Sequence, residues 1–300
     1  MTAPAARWIV TDLDGTLVGA DLRIVERSRQ ALVAFRRAGG EVFLATGRNE
    51  VSAGRYHAEL GLTTPAILYN GARVVDLASG QVLYGKEIGG SFDALRKNVL
   101  DRLPPTVGAV AFAGGKPVAV HPAPVLAEYA RRDGLRLLPS GPTAELGPVV
   151  KVLLVNDRPE LSGLADAVHR ACPELVTVSS EPTYLEVLPP GASKGAALRF
   201  LAQHRGVDLA QVAAIGDNHN DADMLVAAGL AAVPADANPG IRELADLVVG
   251  RCADGAVADL VAHLLAGDGA FSEGRVAAAP APADGAAYAR RAGPAGEETG

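Results

Sequence analysis

Residues 8–11, Trp-Ile-Val-Thr, are an unbroken run of apolar and β-branched positions, the pattern of a strand buried on both faces. The next segment, VERSRQALVAFRRAGG, places Leu32 and Phe35 on one helical face and arginines on the other. Gly39 supplies a stop, so a helix is predicted there. EVFLATG reads as a strand ending at Gly47, NEVSAGRYHAELGL as a helix, and AILYNGA as a strand running into a turn. Strands alternating with helices predict a parallel sheet wrapped by helices.

The rhythm changes after about Gln81. SFDALRKNVLDRL and ELSGLADAVHRAC read as two helices, set among short strand-like runs VGAVAF, KPVAVH, VKVLLVN, TVSS and YLEVLP. That spacing predicts an α+β module inserted into the chain. From SKGAALRFLAQHRG onward the strand–helix alternation returns through QVAAIGD, DADMLVAAG and LAAVPA. The expected fold is therefore α/β. A Rossmann-like parallel core is assembled from residues 1–81 and 188–266, with an inserted α+β cap domain over 82–187. Residues 267–300 are rich in Ala, Gly and Pro with almost no large apolar side chains. Such a segment buries too little surface to offset its ordering entropy and is expected to be disordered.

Composition narrows the function classes. The 300 residues are 49% hydrophobic, enough for a substantial core, and the formal net charge of −6 gives no general attraction to nucleic acid or anionic membrane. No run of about 18 uncharged apolar residues is present, which argues against a membrane span, and the N-terminal ten residues lack a signal peptide's apolar stretch. A cytoplasmic protein is expected. Two widely separated cysteines, Cys172 and Cys252, suit buried thiols better than a disulfide framework.

The candidate chemistry sits where strands end. WIVT runs into Asp12 and Asp14, separated only by Leu13 and followed by Gly15. If the strand persists, both side chains share one face, and two adjacent carboxylates repel. They could be solvated loop residues, one could cap a helix, or both could serve a metal site at the carboxyl end of a sheet strand. A second strand-end cluster, GDNHND, carries Asp217 and, four residues on, Asp221. Asp217 could be a helix cap. Two acidic clusters at strand ends are better explained by a shared hard cation held by carboxylate oxygens, most simply Mg²⁺. LATGR adds a hydroxyl, Thr46, and a flexible amide, Gly47, at another strand end, a turn able to bind an anion or to be an ordinary Thr-Gly turn. Lys194 stands at a helix start just where the chain re-enters the core. The helix dipole disfavours a cation there, although solvated lysines are common. The six histidines form no constellation, and only His219, inside GDNHND, adjoins these motifs.

DLDGT, LATGR, a lone lysine after an insert, and GDNHND followed by ADML, in that order, resemble the haloacid dehalogenase superfamily. In particular they resemble its Cof-type phosphatases, which carry a large α/β cap. The resemblance covers about residues 7–80 and 188–262, and the cap only by size and position. It implies that Asp12 is a nucleophile forming an aspartyl-phosphate, and that Asp14 is the general acid and then the base. It also implies that Mg²⁺ is held by the Asp12 side chain, the Asp14 carbonyl and Asp217. Thr46, the Gly47 and Leu13 amides, Lys194 and Asn220 would grip the phosphoryl oxygens, with Asp221 in support. The implied activity is hydrolysis of a small phosphorylated metabolite, with sugar phosphates among the candidates. A phosphomutase, or a phospho-ligand-binding regulator on the same scaffold, are the alternatives. One stretch departs from the family: where Cof-type chains carry Met-Gly-Asn-Ala, this sequence has Pro234-Ala235-Asp236-Ala237.

Overall fold

The structure, a computed structural model, describes residues 6–141 and 146–266; the expected tail over 267–300 lies outside them. The chain begins with β1 (Trp8–Thr11), α1 (Glu26–Arg37), β2 (Glu41–Leu44), α2 (Glu50–Glu59) and β3 (Ala66–Leu68). Two further strands, β4 (Arg73–Asp76) and β5 (Gln81–Gly85), lead to α3 (Ser91–Asn98), β6 (Val107–Ala113) and β7 (Lys116–His121). Then come α4 (Val125–Asp133), β8 (Leu138–Pro139), β9 (Val149–Asn156), α5 (Ser162–Ala171), β10 (Val176–Glu181) and β11 (Tyr184–Leu188). The C-terminal part holds α6 (Lys194–Arg205), β12 (Val212–Ile215), α7 (Ala222–Ala227), β13 (Leu230–Pro234), α8 (Pro239–Arg242), β14 (Leu247–Val249) and α9 (Ala256–Ala266). No helix among the described residues is long and apolar enough to cross a membrane.

A five-stranded parallel sheet, in the order β14-β13-β12-β1-β2, forms the core. Its central strands β1 and β12 are completely buried, as expected for strands covered by helices on both faces. Trp8 and Val10 pack on the α6 and α7 side, Ile9 on the α1 and α9 side. The register pairs Thr11 with Ile215, and the Asp12 amide donates to the Ile215 carbonyl at 2.9 Å. The two acidic turns therefore leave the sheet side by side. This is the carboxyl edge, at the strand where the connections diverge to either side, where open α/β sheets bind ligands.

β3 touches this sheet through one parallel bridge from Ile67 to Ala45 and then turns into an antiparallel sheet with β4 and β5. Gly80, just before the expected start of the insert at residue 82, is the left-handed turn between β4 and β5. Leu83 and Tyr84 pack with the core cluster around α6, so β5 stays with the core and the chain crosses over after Gly85. The outgoing and returning crossings lie together: the Lys86 ammonium donates to the Pro190 and Gly191 carbonyls at 3.0 and 2.9 Å.

The inserted region is a six-stranded sheet, β10-β11-β9-β6-β7-β8, antiparallel apart from the short β7–β8 pair. Period-two alternation divides its strands. Val107, Ala109 and Ala111 pack with α3 and α5, whereas Val110 and Phe112 face the core, together with Leu153 and Val155. It has three helices rather than two. α4 escapes a search for helices because Pro122 and Pro124 precede it. Here Pro124 stands at the helix start, where proline costs nothing, and left-handed Gly134 ends the helix.

Candidate active site

Strand β1 ends at Thr11, and the backbone then turns tightly, the Leu13 carbonyl accepting from the amides of Leu17 and Val18 at 2.9 and 2.7 Å. The alternation that would aim Asp12 and Asp14 alike is broken at that point. Asp12 points inward, with Oδ1 2.6 Å from the Lys194 ammonium. Asp14 points outward, gripped by Arg48 through Nε at 2.8 Å and Nη2 at 2.6 Å. The two strand-end acids thus have separate cationic partners.

Lys194 is fully buried at the first turn of α6, which Ser193 caps by accepting from the Ala196 amide. It bridges Asp12 and Asp221, each at 2.6 Å. Burial works to lower its pKa, but the charges of Asp12 and Asp221 prevail and hold it above the usual lysine range. The Gly71 turn lies against this helix start. Its φ is +89°, and a Cβ there would sit 1.9 Å from the Ser193 carbonyl oxygen, so only glycine fits.

Asp221 is completely buried and has both oxygens engaged: Oδ1 by Lys194, and Oδ2 by the amides of Asp217 and Asn218. It fixes the loop that carries Asp217. Asp217 Oδ1 accepts from the Thr16 hydroxyl at 2.7 Å. A ligand oxygen from each of Asp12, Asp217 and Asp221 lies within 4.8 Å of the others. Burial raises the Asp12 carboxyl well above its ordinary range; Lys194 opposes this, and Asp221, Asp217 and Asp14 add to it. Burial, with Asp221 next, pushes Asp217 up to about 6, while the Thr16 hydrogen bond and Lys194 pull the other way. A cluster of raised carboxyls is electrostatically incomplete. An all-oxygen set of this kind suits a hard cation, and Gly15 keeps it accessible, since a Cβ there would lie 2.5 Å from Asp217 Oδ2.

Thr46, at the end of β2, is buried and its hydroxyl accepts from the Arg48 amide at 3.2 Å. The Gly47 carbonyl accepts from the Lys151 ammonium at 2.7 Å. Lys151 also pairs with Glu186 at 2.9 Å, both side chains only 5% exposed. Glu186 in turn accepts from Asn70 Nδ2 at 3.0 Å, and Asn70 Oδ1 accepts from Asn220 Nδ2 at 2.9 Å. A continuous polar chain therefore joins the inserted sheet to the core at the site. Asn220 lines the pocket, but its amide donor is committed to Asn70, and its Oδ1 is buried without a partner among the described residues. His219 is exposed on the same turn. The Pro234–Ala237 stretch lies beside the site: the Asn238 amide that follows it donates to the Asp217 carbonyl at 2.9 Å.

Arg48, Asn70, Lys151 and Glu186 have no assigned role in the sequence reading. Lys151 and Glu186 had a signal, however: each is a lone charge in an otherwise apolar strand, in VVKVLLVN and YLEVL. The pocket formed by these groups runs from Asp12 and Thr46 outward under the inserted sheet to Phe112, Tyr129 and Tyr184.

Comparison with known proteins places this geometry. The family model of haloacid dehalogenase-like hydrolases matches residues 9–103 and 136–261. The HMP-PP phosphatase of Escherichia coli K12 is 30% identical over 264 residues, which span 87% of this chain and 96% of that protein. A Thermotoga maritima crystal structure superimposes with a TM-score of 0.74 at 28% identity, covering 86% of this chain and 97% of that one. A haloacid dehalogenase-like hydrolase from Bacteroides thetaiotaomicron superimposes with a TM-score of 0.75, covering 86% and 99%; at 24% identity it speaks to the fold alone. The chain belongs to the haloacid dehalogenase superfamily of hydrolases, in its Cof-type phosphatase branch.

Proposed function

We propose that the protein is an Mg²⁺-dependent phosphatase that hydrolyses small phosphomonoesters through an aspartyl-phosphate on Asp12. The observation that carries this reading is the position of Asp12, a buried strand-end carboxylate held by Lys194 beside Asp217 and Asp221. Asp12 attacks phosphorus, and the bond from phosphorus to the ester oxygen breaks. Asp14, two residues on, gives the departing oxygen a proton and then takes one from the water that cleaves the aspartyl-phosphate. Lys194 holds Asp12 in place and, with the Thr46 hydroxyl and the Leu13 and Gly47 amides, faces the phosphoryl oxygens. Asn220 joins them once its amide turns from Asn70. Phosphoryl transfer needs mainly positioning and charge neutralisation, which suits this set. Mg²⁺ would be held by Asp12, the Asp14 carbonyl and Asp217, where it would neutralise phosphoryl charge. Asp221 supports that shell from behind through the Asp217 amide.

Asp14 lies in the grip of Arg48, which engages both of its carboxylate oxygens. Delivery of a proton to the leaving oxygen therefore requires the substrate to loosen this pair. A panel of phosphomonoesters scored by released phosphate tests the proposal. Asp12→Asn should lose essentially all turnover while keeping its circular dichroism spectrum; release near the wild-type rate would dismiss the nucleophile.

A further inference from the structure

Tyr69, Asn70 and Gly71 follow one another in the left-handed region, with φ of +52°, +51° and +89°. Glycine adopts this backbone freely and asparagine tolerates it, but for a tyrosine it is strained. Such backbone persists where its surroundings over-determine it, and it clusters at functional sites. Here the surroundings are the loop after β2. The Tyr69 amide donates to the Arg48 carbonyl at 3.1 Å, and the Asn70 amide to the Thr46 carbonyl at 3.0 Å. The strained turn thereby wraps the loop that carries Thr46 and Gly47.

This wrap leaves the buried Asn70 side chain between the core and the inserted sheet. Its Nδ2 donates to Glu186, and its Oδ1 accepts from Asn220 Nδ2. An amide set between a carboxylate and a donor has one acceptable flip, because the other would turn Oδ1 to the carboxylate and Nδ2 to the donor. Glu186 therefore decides which way Asn70 presents its acceptor, and Asn70 decides where the Asn220 amide rests. Lys151 forms a second branch, bound to Glu186 and to the Gly47 carbonyl at once. Space at the junction is tight: a Cβ on Gly47 would lie 3.0 Å from both Asn70 Nδ2 and Glu186 Oε1. A buried ion pair is a weak source of stability beside apolar residues of the same volume. What this one supplies is direction, through hydrogen bonds that each fix the next.

We infer that Asn70 is a positioning residue for phosphoryl transfer, the node through which the inserted sheet orders the phosphoryl-binding end of the pocket. By one branch Lys151 pins the Gly47 carbonyl and so aims the loop's amides. By the other, Glu186 and Asn70 keep the Asn220 amide beside the site, a short rotation from a bound phosphoryl oxygen. The inference rests on the phosphatase reading. It assigns to the inserted sheet a task that does not depend on the alcohol carried by the ester, so loss of the relay should weaken every ester alike. Prior placement of groups of this kind lowers the entropy cost of reaching the reactive arrangement.

The test uses the full chain with Mg²⁺, p-nitrophenyl phosphate as a small donor, and inorganic phosphate as a competing ligand. Asn70→Ala should raise KM and the inhibition constant for phosphate by about tenfold each, the loss of about one good hydrogen bond. It should also lower kcat by roughly tenfold or more, through a misplaced loop. KM and the inhibition constant are independent of the folded fraction, and the order of preference among other esters should stay that of the wild type. Two further variants separate positioning from folding. Lys151→Met with Glu186→Leu keeps the junction packed, and its phosphate binding should stay weak even as its stability recovers. Asn70→Asp with Glu186→Gln reverses donor and acceptor across one contact at unchanged net charge, and it should regain phosphate binding that each single change loses. Wild-type constants in Asn70→Ala, their return together with stability in the Lys151→Met and Glu186→Leu protein, or a swap no better than its single changes would overturn the inference. If the wild type releases p-nitrophenol, these failures leave the phosphatase reading standing. Release from no ester at all by the wild type would overturn both.

Discussion

Two acids separated by one leucine have opposite environments here. Asp12 is 5% exposed and bound to a buried lysine, whereas the Asp14 side chain is 42% exposed and bound to an arginine. The difference follows from the turn that begins just after Asp12, where the Leu13 carbonyl accepts from the Leu17 and Val18 amides. One side chain stays with the sheet edge and the other swings to the loop carrying Arg48. For the proposed chemistry this is a useful division, since a nucleophile must be fixed and a proton carrier must move. Asp14→Asn leaves the backbone carbonyl intact while removing the proton carrier and the charge that pairs with Arg48. It should lower turnover of alkyl phosphates by roughly 10²–10⁴-fold, the usual contribution of general acid–base catalysis. Aryl phosphates, whose leaving groups depart without help, should lose much less. Equal losses across alkyl and aryl esters in steady-state assays would remove Asp14 from the role.

At the scale of elements, β9 and β11 bring an ion pair to the core. Glu186 pairs across from Leu153 in the antiparallel register, which sets Lys151 on its diagonal, on the face directed at Gly47 and Asn70. Both charges are almost fully buried, so removing one strands the other. Lys151→Met should destabilise the protein by about 3–5 kcal/mol, whereas Lys151→Met with Glu186→Leu should recover a large part of that loss. Denaturant midpoints of the two variants measure the difference; a double variant as unstable as the single would show that the pair is not the source. The same strands mark how far the sequence could be read. The core strands are continuous apolar runs ending in motif residues, so β1, β2 and β12 and their acids are legible locally. Lys151 and Glu186, 35 residues apart, gain meaning only from the register that brings their strands together, and the Arg48–Asp14 pair only from a turn that breaks the strand period. α4 was obscured by prolines that here start a helix. The β4–β5 hairpin was hidden because its turn glycine, Gly80, resembles a domain hinge.

Across the whole molecule, the acidic centre links stability to pH and, on the proposed metal site, to Mg²⁺ as well. Asp217 is raised to about 6 in the folded state, against about 3.9 for a free aspartate. Between these values the folded protein keeps a proton that the unfolded chain has released. Stability of the metal-free protein therefore falls as pH rises through that window, by roughly 1–3 kcal/mol from this group. Asp12, raised by the same burial, acts in the same direction. A divalent cation binds only the deprotonated carboxylates, so its stabilising effect must grow with pH, opposite in sign to the apo trend. Thermal unfolding of wild-type protein and Asp217→Asn, each with chelator or with Mg²⁺ at pH 5 and pH 7, separates these effects from the titration of other groups. In chelator, the fall in midpoint from pH 5 to pH 7 should be greater for the wild type than for Asp217→Asn, because the amide cannot titrate. With Mg²⁺ the wild type should gain several degrees at pH 7 and much less at pH 5, and Asp217→Asn should gain little at either. Ca²⁺, which prefers more ligands at longer distances, should substitute poorly in restoring phosphate release to chelated enzyme. A Mg²⁺ response equal at both pH values, or retained in Asp217→Asn, would place the cation elsewhere than on the carboxylates that β1 and β12 bring together.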